Sequence, residues 1–295
     1  MLNEVASADA LTWVSICVKA LVYATSLTAA GSVLCIIFLR TLPASEVDVL
    51  KRFAVWLALT AAVLSLLRIP LRASFLMGGT WQGGTDPMIL SMVAQSPLGI
   101  SIAVRLIGLA LILTVLIPAR WGKIAAGFGA FFVAASFVLR GHALEEPRLL
   151  LGALITVHFL GLAFWVGAFV PLYRVAGIDH RNSAAQLAHE FGHKAVYVVT
   201  SLTVAGGITL WLLTGNPVAA AFTPYGQFFL LKLGLFLAVI SLAAWNKMQI
   251  TPALLRGDPI ASGRLRRSIR WEAYLVFLVL FTTATLTTLS APVFL

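Results

Sequence analysis

The chain has 295 residues, 60% of them hydrophobic and only 11% charged, with a mean hydropathy of +0.96 and a formal net charge of +10. A soluble domain carries about 25% charged residues, so a water-surrounded globule is excluded and lipid is the expected solvent. The basic excess, with a pI of 10.2, does not argue for nucleic acid, because it falls on loops suited to an anionic membrane surface.

A bilayer span needs about 20 mostly apolar residues, and such runs follow one another almost end to end. Eight are read, at 11–39, 52–76, 98–117, 121–140, 149–173, 195–214, 225–246 and 269–290. Barrel strands alternate polarity over about ten residues, and these runs do not, so they are helices. The N-terminus carries Glu4 and Asp9 without a basic n-region, so span one is expected to be retained rather than cleaved as a signal peptide. The longest connections, near 77–97, 174–194 and 247–268, leave no room for a soluble domain. The expectation is an all-α polytopic membrane protein, a single domain over 1–295 built as a bundle of eight transmembrane helices.

Lys and Arg orient it. The connections after spans one, three, five and seven hold Arg40, Lys51, Arg52, Arg120, Lys123, Arg174, Arg181, Lys194, Lys247, Arg256, Arg264, Arg266, Arg267 and Arg270, whereas the opposite ones hold Arg140 and Arg148. Fourteen against two places both termini outside.

Five cations lie within spans: Lys19, Arg68, Arg72, Arg105 and Lys232. A Lys or Arg at a helix centre costs about 2.5–3.5 kcal/mol on insertion scales. Snorkelling accounts for Arg72 and Arg68, close to a span end. Lys19, Arg105 and Lys232 sit about 10 Å inside at 1.5 Å per residue, where they either face a hydrated, anion-attracting cavity open to the outside or snorkel. The hydroxyls of Thr282, Thr283, Thr285, Thr287, Thr288 and Ser290 in span eight either line that cavity or bond back to their own helix.

Metal-binding side chains gather towards the same side. His142 stands at the outer mouth between spans four and five, and His158 lies about two turns inside span five, with Trp165 on its face at i+7 and Gly161 between them. An intramembrane His is either a ligand or a hydrogen-bonded packing residue. In "DPMILSMVAQ" a short helix would set Met88 and Met92 on one side, with Met77 nearby. Thioether and imidazole together suit copper, Cu(I) ahead of Cu(II). Cys17 and Cys35 are eighteen residues apart on one helix, about 27 Å, and cannot pair there; they are read as small buried hydrophobes. On the inner side, "HEFGH" puts His189 and His193 at i, i+4 in the outline of a zinc-protease motif. It lacks a third ligand, so a protease is rejected, no enzyme is expected, and a minor cytosolic metal site is what is left.

The segment 188–290 resembles the copper resistance protein D family. The resemblance rests on "YGQFFLLKLGLFLAVISLAAWNKMQITPALL" and "LRRSIRWEAYLVFLVLFTTATLTTLSAP", and upstream on "GHA" at Gly141–Ala143 and "HFLGLAFWVGAFVPL" at His158–Leu172. Where members often begin span six with Arg-Phe, this chain has "HEFGHKA", so the inner histidines draw nothing from the likeness. The resemblance implies an inner-membrane protein that handles copper beside a periplasmic copper carrier of the C type. On that footing Met88 and Met92 collect copper, His142 receives it and His158 holds it within the membrane. No nucleotide-binding loop is present, so ATP does not drive the process. Because Lys19, Arg105 and Lys232 would repel Cu+, two alternatives stay open: a basic outer cavity that binds haem or a quinone, and a docking partner for the carrier that moves nothing.

Overall fold

The structure, a computed structural model, describes residues 8–139, 147–177, 181–214 and 222–289. Every regular element among them is helical: α1 (Ala10–Phe38), α2 (Ala44–Leu76), α3 (Pro87–Gln95), α4 (Pro97–Ile112), α5 (Arg120–Ser136), α6 (Arg148–Val175), α7 (Arg181–Thr214), α8 (Pro224–Trp245), α9 (Thr251–Leu255) and α10 (Ala261–Leu289). One 3-10 turn, Leu113–Leu116, continues α4. Seven helices among the described residues are long and apolar enough to cross a membrane. The expected fourth span corresponds to α5, which has 17 residues and at 1.5 Å per residue measures about 26 Å, short of a hydrocarbon core of about 30 Å.

Helix ends depart from the apolar runs in a consistent way. The expected connection 174–194 is mostly helix, since α7 starts at Arg181 and runs for 34 residues; 247–268 is likewise largely helical. Hydropathy marks where lipid ends, whereas a helix continues as long as one face finds packing. Ala184, Ala185 and Leu187 of α7 and Leu265 and Ile269 of α10 are buried, which carries both helices past the last apolar residues.

The helix at the centre is α1, which packs against α2, α4, α5, α6 and α10. Its crossing with α6 is backbone on backbone. A Cβ on Gly31 would stand 1.9 Å from the Ala163 carbonyl oxygen, and one on Gly167 would stand 2.2 Å from the Gly31 carbonyl carbon. Small residues serve this purpose in lipid, where helix association comes from close packing rather than from expelling water. The α4–α5 pair repeats the device with Gly108 and Gly129, each occupying space that a Cβ on the other would claim. Asp9 caps α1 by accepting from the Thr12 amide at 2.8 Å, and Thr12 holds its carboxyl below the ordinary range.

The basic end of the bundle is tied by acids. Arg174 Nε donates to Glu46 Oε2 at 2.9 Å, joining the end of α6 to the start of α2. Glu190 of α7 accepts from the Arg40 and Thr41 amides at 3.0 and 2.8 Å and pairs with Lys194. Arg266 lies over the Tyr173 ring at 4.4 Å.

Candidate functional site at the ends of α6 and α8

His158 of α6 is half-buried and faces α7, where a Cβ on Gly206 would stand 3.9 Å from its Cε1 and Nδ1. Glycine at 206 leaves room for the ring. Its Nδ1 is buried, lies beside the Leu202 carbonyl and makes no hydrogen bond of acceptable geometry. The Lys232 ammonium of α8 is within electrostatic reach of the ring. A half-buried imidazole thus packs against α7 within electrostatic reach of a cation on α8. Gly161, one turn along, lets α7 close in on α6 through Leu202 and Val198, each 3.3 Å from where a Cβ on Gly161 would be.

The other embedded cations go elsewhere. Lys19 is 6% exposed and donates to the Thr287 carbonyl at 2.9 Å and to Thr288 Oγ1 at 3.2 Å, which binds α1 to the end of α10. Arg105 is fully buried between α4 and α5. Its Nε donates to Ser136 Oγ at 3.0 Å, its Nη2 to Ser101 Oγ at 3.3 Å, and its guanidinium lies over the Phe137 ring at 4.2 Å. Both cations replace water with hydroxyls, a carbonyl or a ring face, as a charge in a low-dielectric interior requires. Arg72 is exposed and lies over Phe75 at 5.3 Å, the snorkelling geometry. Of the two roles open to the span-eight threonines, the structure takes the local one: the hydroxyls of Thr283, Thr285, Thr287 and Thr288 donate to carbonyls one turn back at 2.7–3.0 Å.

An aromatic cluster links Arg105 to the histidine. Phe137 stacks on Phe159 with ring centroids 4.5 Å apart, Tyr23 of α1 lies 5.2 Å from Phe137, and Phe159 meets His158 edge-on at 6.2 Å.

The expected short helix carrying the methionines is α3. Asp86 caps it, accepting from the Met88 and Ile89 amides at 2.8 and 3.1 Å, and Pro87 occupies its first turn. Val93 is buried, while Met88 and Met92 are 79% and 54% exposed. His142 lies outside the described residues. His189 and His193 have ring centroids 4.4 Å apart, with His193 Nδ1 2.9 Å from the His189 carbonyl oxygen; they ride on the continuous helix α7 rather than in a loop. Among the described residues no group of three or more His, Cys, Asp or Glu is placed to hold a metal. Cys35 is buried with its thiol donating to the Phe164 carbonyl at 3.6 Å, whereas Cys17 is exposed.

A second site lies nearer the basic end of the same helices. A cavity of about 320 Å³ opens between α6, α7, the end of α8 and α10, walled mainly by apolar side chains such as Phe169, Phe191, Ile240 and Ile269. At its polar corner stand Trp165, Asn246 and Glu272. Asn246 begins a π turn, Asn246–Ile250, in which the Thr251 amide donates back to the Asn246 carbonyl; such turns re-aim a side chain within a helix. The Asn246 side-chain amide donates to Glu272 Oε1, and Glu272 is 3% exposed. Trp165 settles as a wall of this cavity, edge-on to Phe191 at 6.0 Å.

Asn246 and Glu272 had no role in the sequence reading. The available signal was polar type and position: an Asn and a Glu standing where two apolar runs meet their basic flanks, both within the stretches that resemble the copper resistance family.

Comparison with known families returns two matches. The model described as copper resistance protein D matches residues 185–286, and the one described as copper resistance protein D-like, N-terminal domain, matches residues 8–147. Between them they take in α1–α5 and most of α7–α10. Comparison with curated proteins and with solved structures returns no match.

Proposed function

The chain belongs to the copper resistance protein D family, a multi-pass membrane protein that handles copper, and from that premise we propose a path for the metal. The protein sits in the bacterial inner membrane with both termini periplasmic, takes copper at His158 within α6, and passes it towards the cytoplasm without ATP and without catalysing a reaction. Met88 and Met92 are the surface collectors, and His142 is the residue that receives the metal ahead of His158. Trp81, 89% exposed, flanks the methionines and extends the face on which a periplasmic copper carrier of the C type would dock. Cu(I) is the favoured ion, given thioether and imidazole donors.

The observation that carries this reading is the buried Nδ1 of His158, which makes no hydrogen bond of acceptable geometry and has only the Leu202 carbonyl beside it. A packing histidine of the ordinary kind would use that atom. The test is copper content of the full-length protein in lipid nanodiscs after loading with Cu(I), together with Cu(I) uptake in proteoliposomes. The wild type should retain copper and His158→Ala should lose it along with uptake; equal copper and uptake in the variant would overturn the reading.

A second reading draws on Lys232 beside His158: an anionic cofactor such as haem, with the imidazole as axial ligand and the ammonium on a propionate. Arg105 lends it nothing, because its guanidinium is held by Ser101, Ser136 and Phe137. A Soret band in the purified protein, lost in His158→Ala, would favour this second reading.

A further inference from the structure

The cavity at the basic end contains polar atoms that packing alone leaves unexplained. Asn246 Oδ1 is buried without a hydrogen-bond partner, and Trp165 Nε1, also buried, is directed at the Glu272 carboxylate but makes no hydrogen bond of acceptable geometry in this state. Trp165 is 4% exposed. A buried polar atom left unused is costly, so an idle acceptor beside an incompletely bonded donor calls for a guest or for a second state that uses them. Copper is a poor guest for this corner, because its available donors are oxygens, which suit harder cations.

The second state is a protonated one. As a carboxylate, Glu272 accepts from the Asn246 amide N–H and has the Trp165 indole N–H waiting for its other oxygen. As a carboxylic acid, Glu272 becomes a donor and needs an acceptor, and the unused Asn246 Oδ1 supplies it once the amide turns about its last side-chain bond. One asparagine thus matches both forms, which a purely structural partner does not need to do.

We propose that Glu272, Asn246 and Trp165 form a proton-binding site, loaded by water entering the cavity from the basic end of the bundle. On loading, hydronium gives one proton to a Glu272 oxygen, leaving water and a neutral acid; on unloading, the proton returns to water and the carboxylate is restored. The cavity has room for the water, and its lining reaches Met248, which is 70% exposed. The other charged side chain on its wall is Lys247, from the π turn, whose Nζ is held by the Gly192 carbonyl at 3.0 Å. Apart from Trp165, α6, α7 and α8 turn only apolar side chains and Thr200 to the cavity, and α9 contributes Thr251. The cation that α1 presents to α10 is Lys19, far along the helix at Thr287 and Thr288.

The proposal stands on this corner alone and not on the copper path, so it is tested on copper-free, full-length protein. Infrared difference spectra of nanodisc samples between acidic and alkaline pH should show a carboxylic-acid carbonyl band that Glu272→Gln abolishes. Trp165→Phe, which removes only the indole N–H, should move the midpoint of that band by about one pH unit, the effect of one charge-assisted hydrogen bond. Retention of the band in Glu272→Gln, absence of any pH-dependent band in the wild type, or an unmoved midpoint in Trp165→Phe would each overturn the site. Should Glu272→Gln fail to fold, the Trp165→Phe midpoint decides alone.

Discussion

Helix α6 and the run of α8 into its π turn each supply a residue to both polar sites, and the two sites differ in sign. Towards one end they bring His158 and Lys232 together; towards the basic end they bring Trp165 and Asn246 to Glu272. Seven residues separate His158 from Trp165, about 10 Å along the helix. Over that distance the wall changes from cationic to acidic, with α7 packed against α6 along both. A cation moving along this seam meets repulsion first and attraction second. On the proposed copper path the obstacle would be Lys232 rather than a ring of embedded cations, because Lys19 and Arg105 are engaged in holding helices together.

The comparison depends on α6 keeping its depth, so the largest effect is expected where α6 crosses α1. Gly31→Ala places a methyl 1.9 Å from the Ala163 carbonyl oxygen, against backbone that cannot turn aside. A loss of about 3 kcal/mol or more is expected, read as a fall in thermal midpoint and in monodisperse yield, with both sites disturbed together. An unchanged melting profile would mean that the crossing is looser than the structure has it.

Lys232→Gln sharpens the contrast by removing the cation beside His158 while keeping a polar side chain of similar length. Copper(I) affinity, measured by competition with a chromogenic chelator, should rise about tenfold, near 1.4 kcal/mol. Weaker copper binding, with loss of a coloured cofactor, would instead favour the anionic-guest reading.

The smallest effect concerns the collectors. Asp86→Ala removes the cap that accepts from the Met88 and Ile89 amides and should cost α3 about 1 kcal/mol. Faster hydrogen exchange of amides in 87–95 and slower copper capture at low concentration are expected, with equilibrium copper content unchanged. Unaltered exchange would show that α3 is held by Val93 and its neighbours rather than by its cap.

Much of this was legible beforehand. The apolar runs locate the seven long helices, and "DPMILSMVAQ" announces α3 through an Asp cap, a Pro in the first turn and two methionines one turn apart. The cations at 19 and 105 were legible as residues needing partners, but not which partners, since Ser136 and Thr287 are ordinary hydroxyl residues until tertiary packing brings them alongside. The extension of α7 across His189, Glu190 and His193 was hidden because hydropathy reports lipid, while that stretch is stabilised by contacts with the α1–α2 connection and by Lys194. Glu272 was hidden for the opposite reason: at the basic flank of a span a Glu reads as a solvated charge, and only the approach of α6 and the π turn buries it.

Local chemistry alone determined that this chain is helical, membrane-spanning and asymmetric in charge, because apolar run length and Lys/Arg placement act residue by residue and need no partner. Tertiary structure decided which polar groups meet. It set Lys232 within electrostatic reach of His158, tied Arg105 and Lys19 elsewhere, and assembled Trp165, Asn246 and Glu272 around a cavity, since in lipid the fate of a polar side chain is set by whichever neighbouring helix can satisfy it.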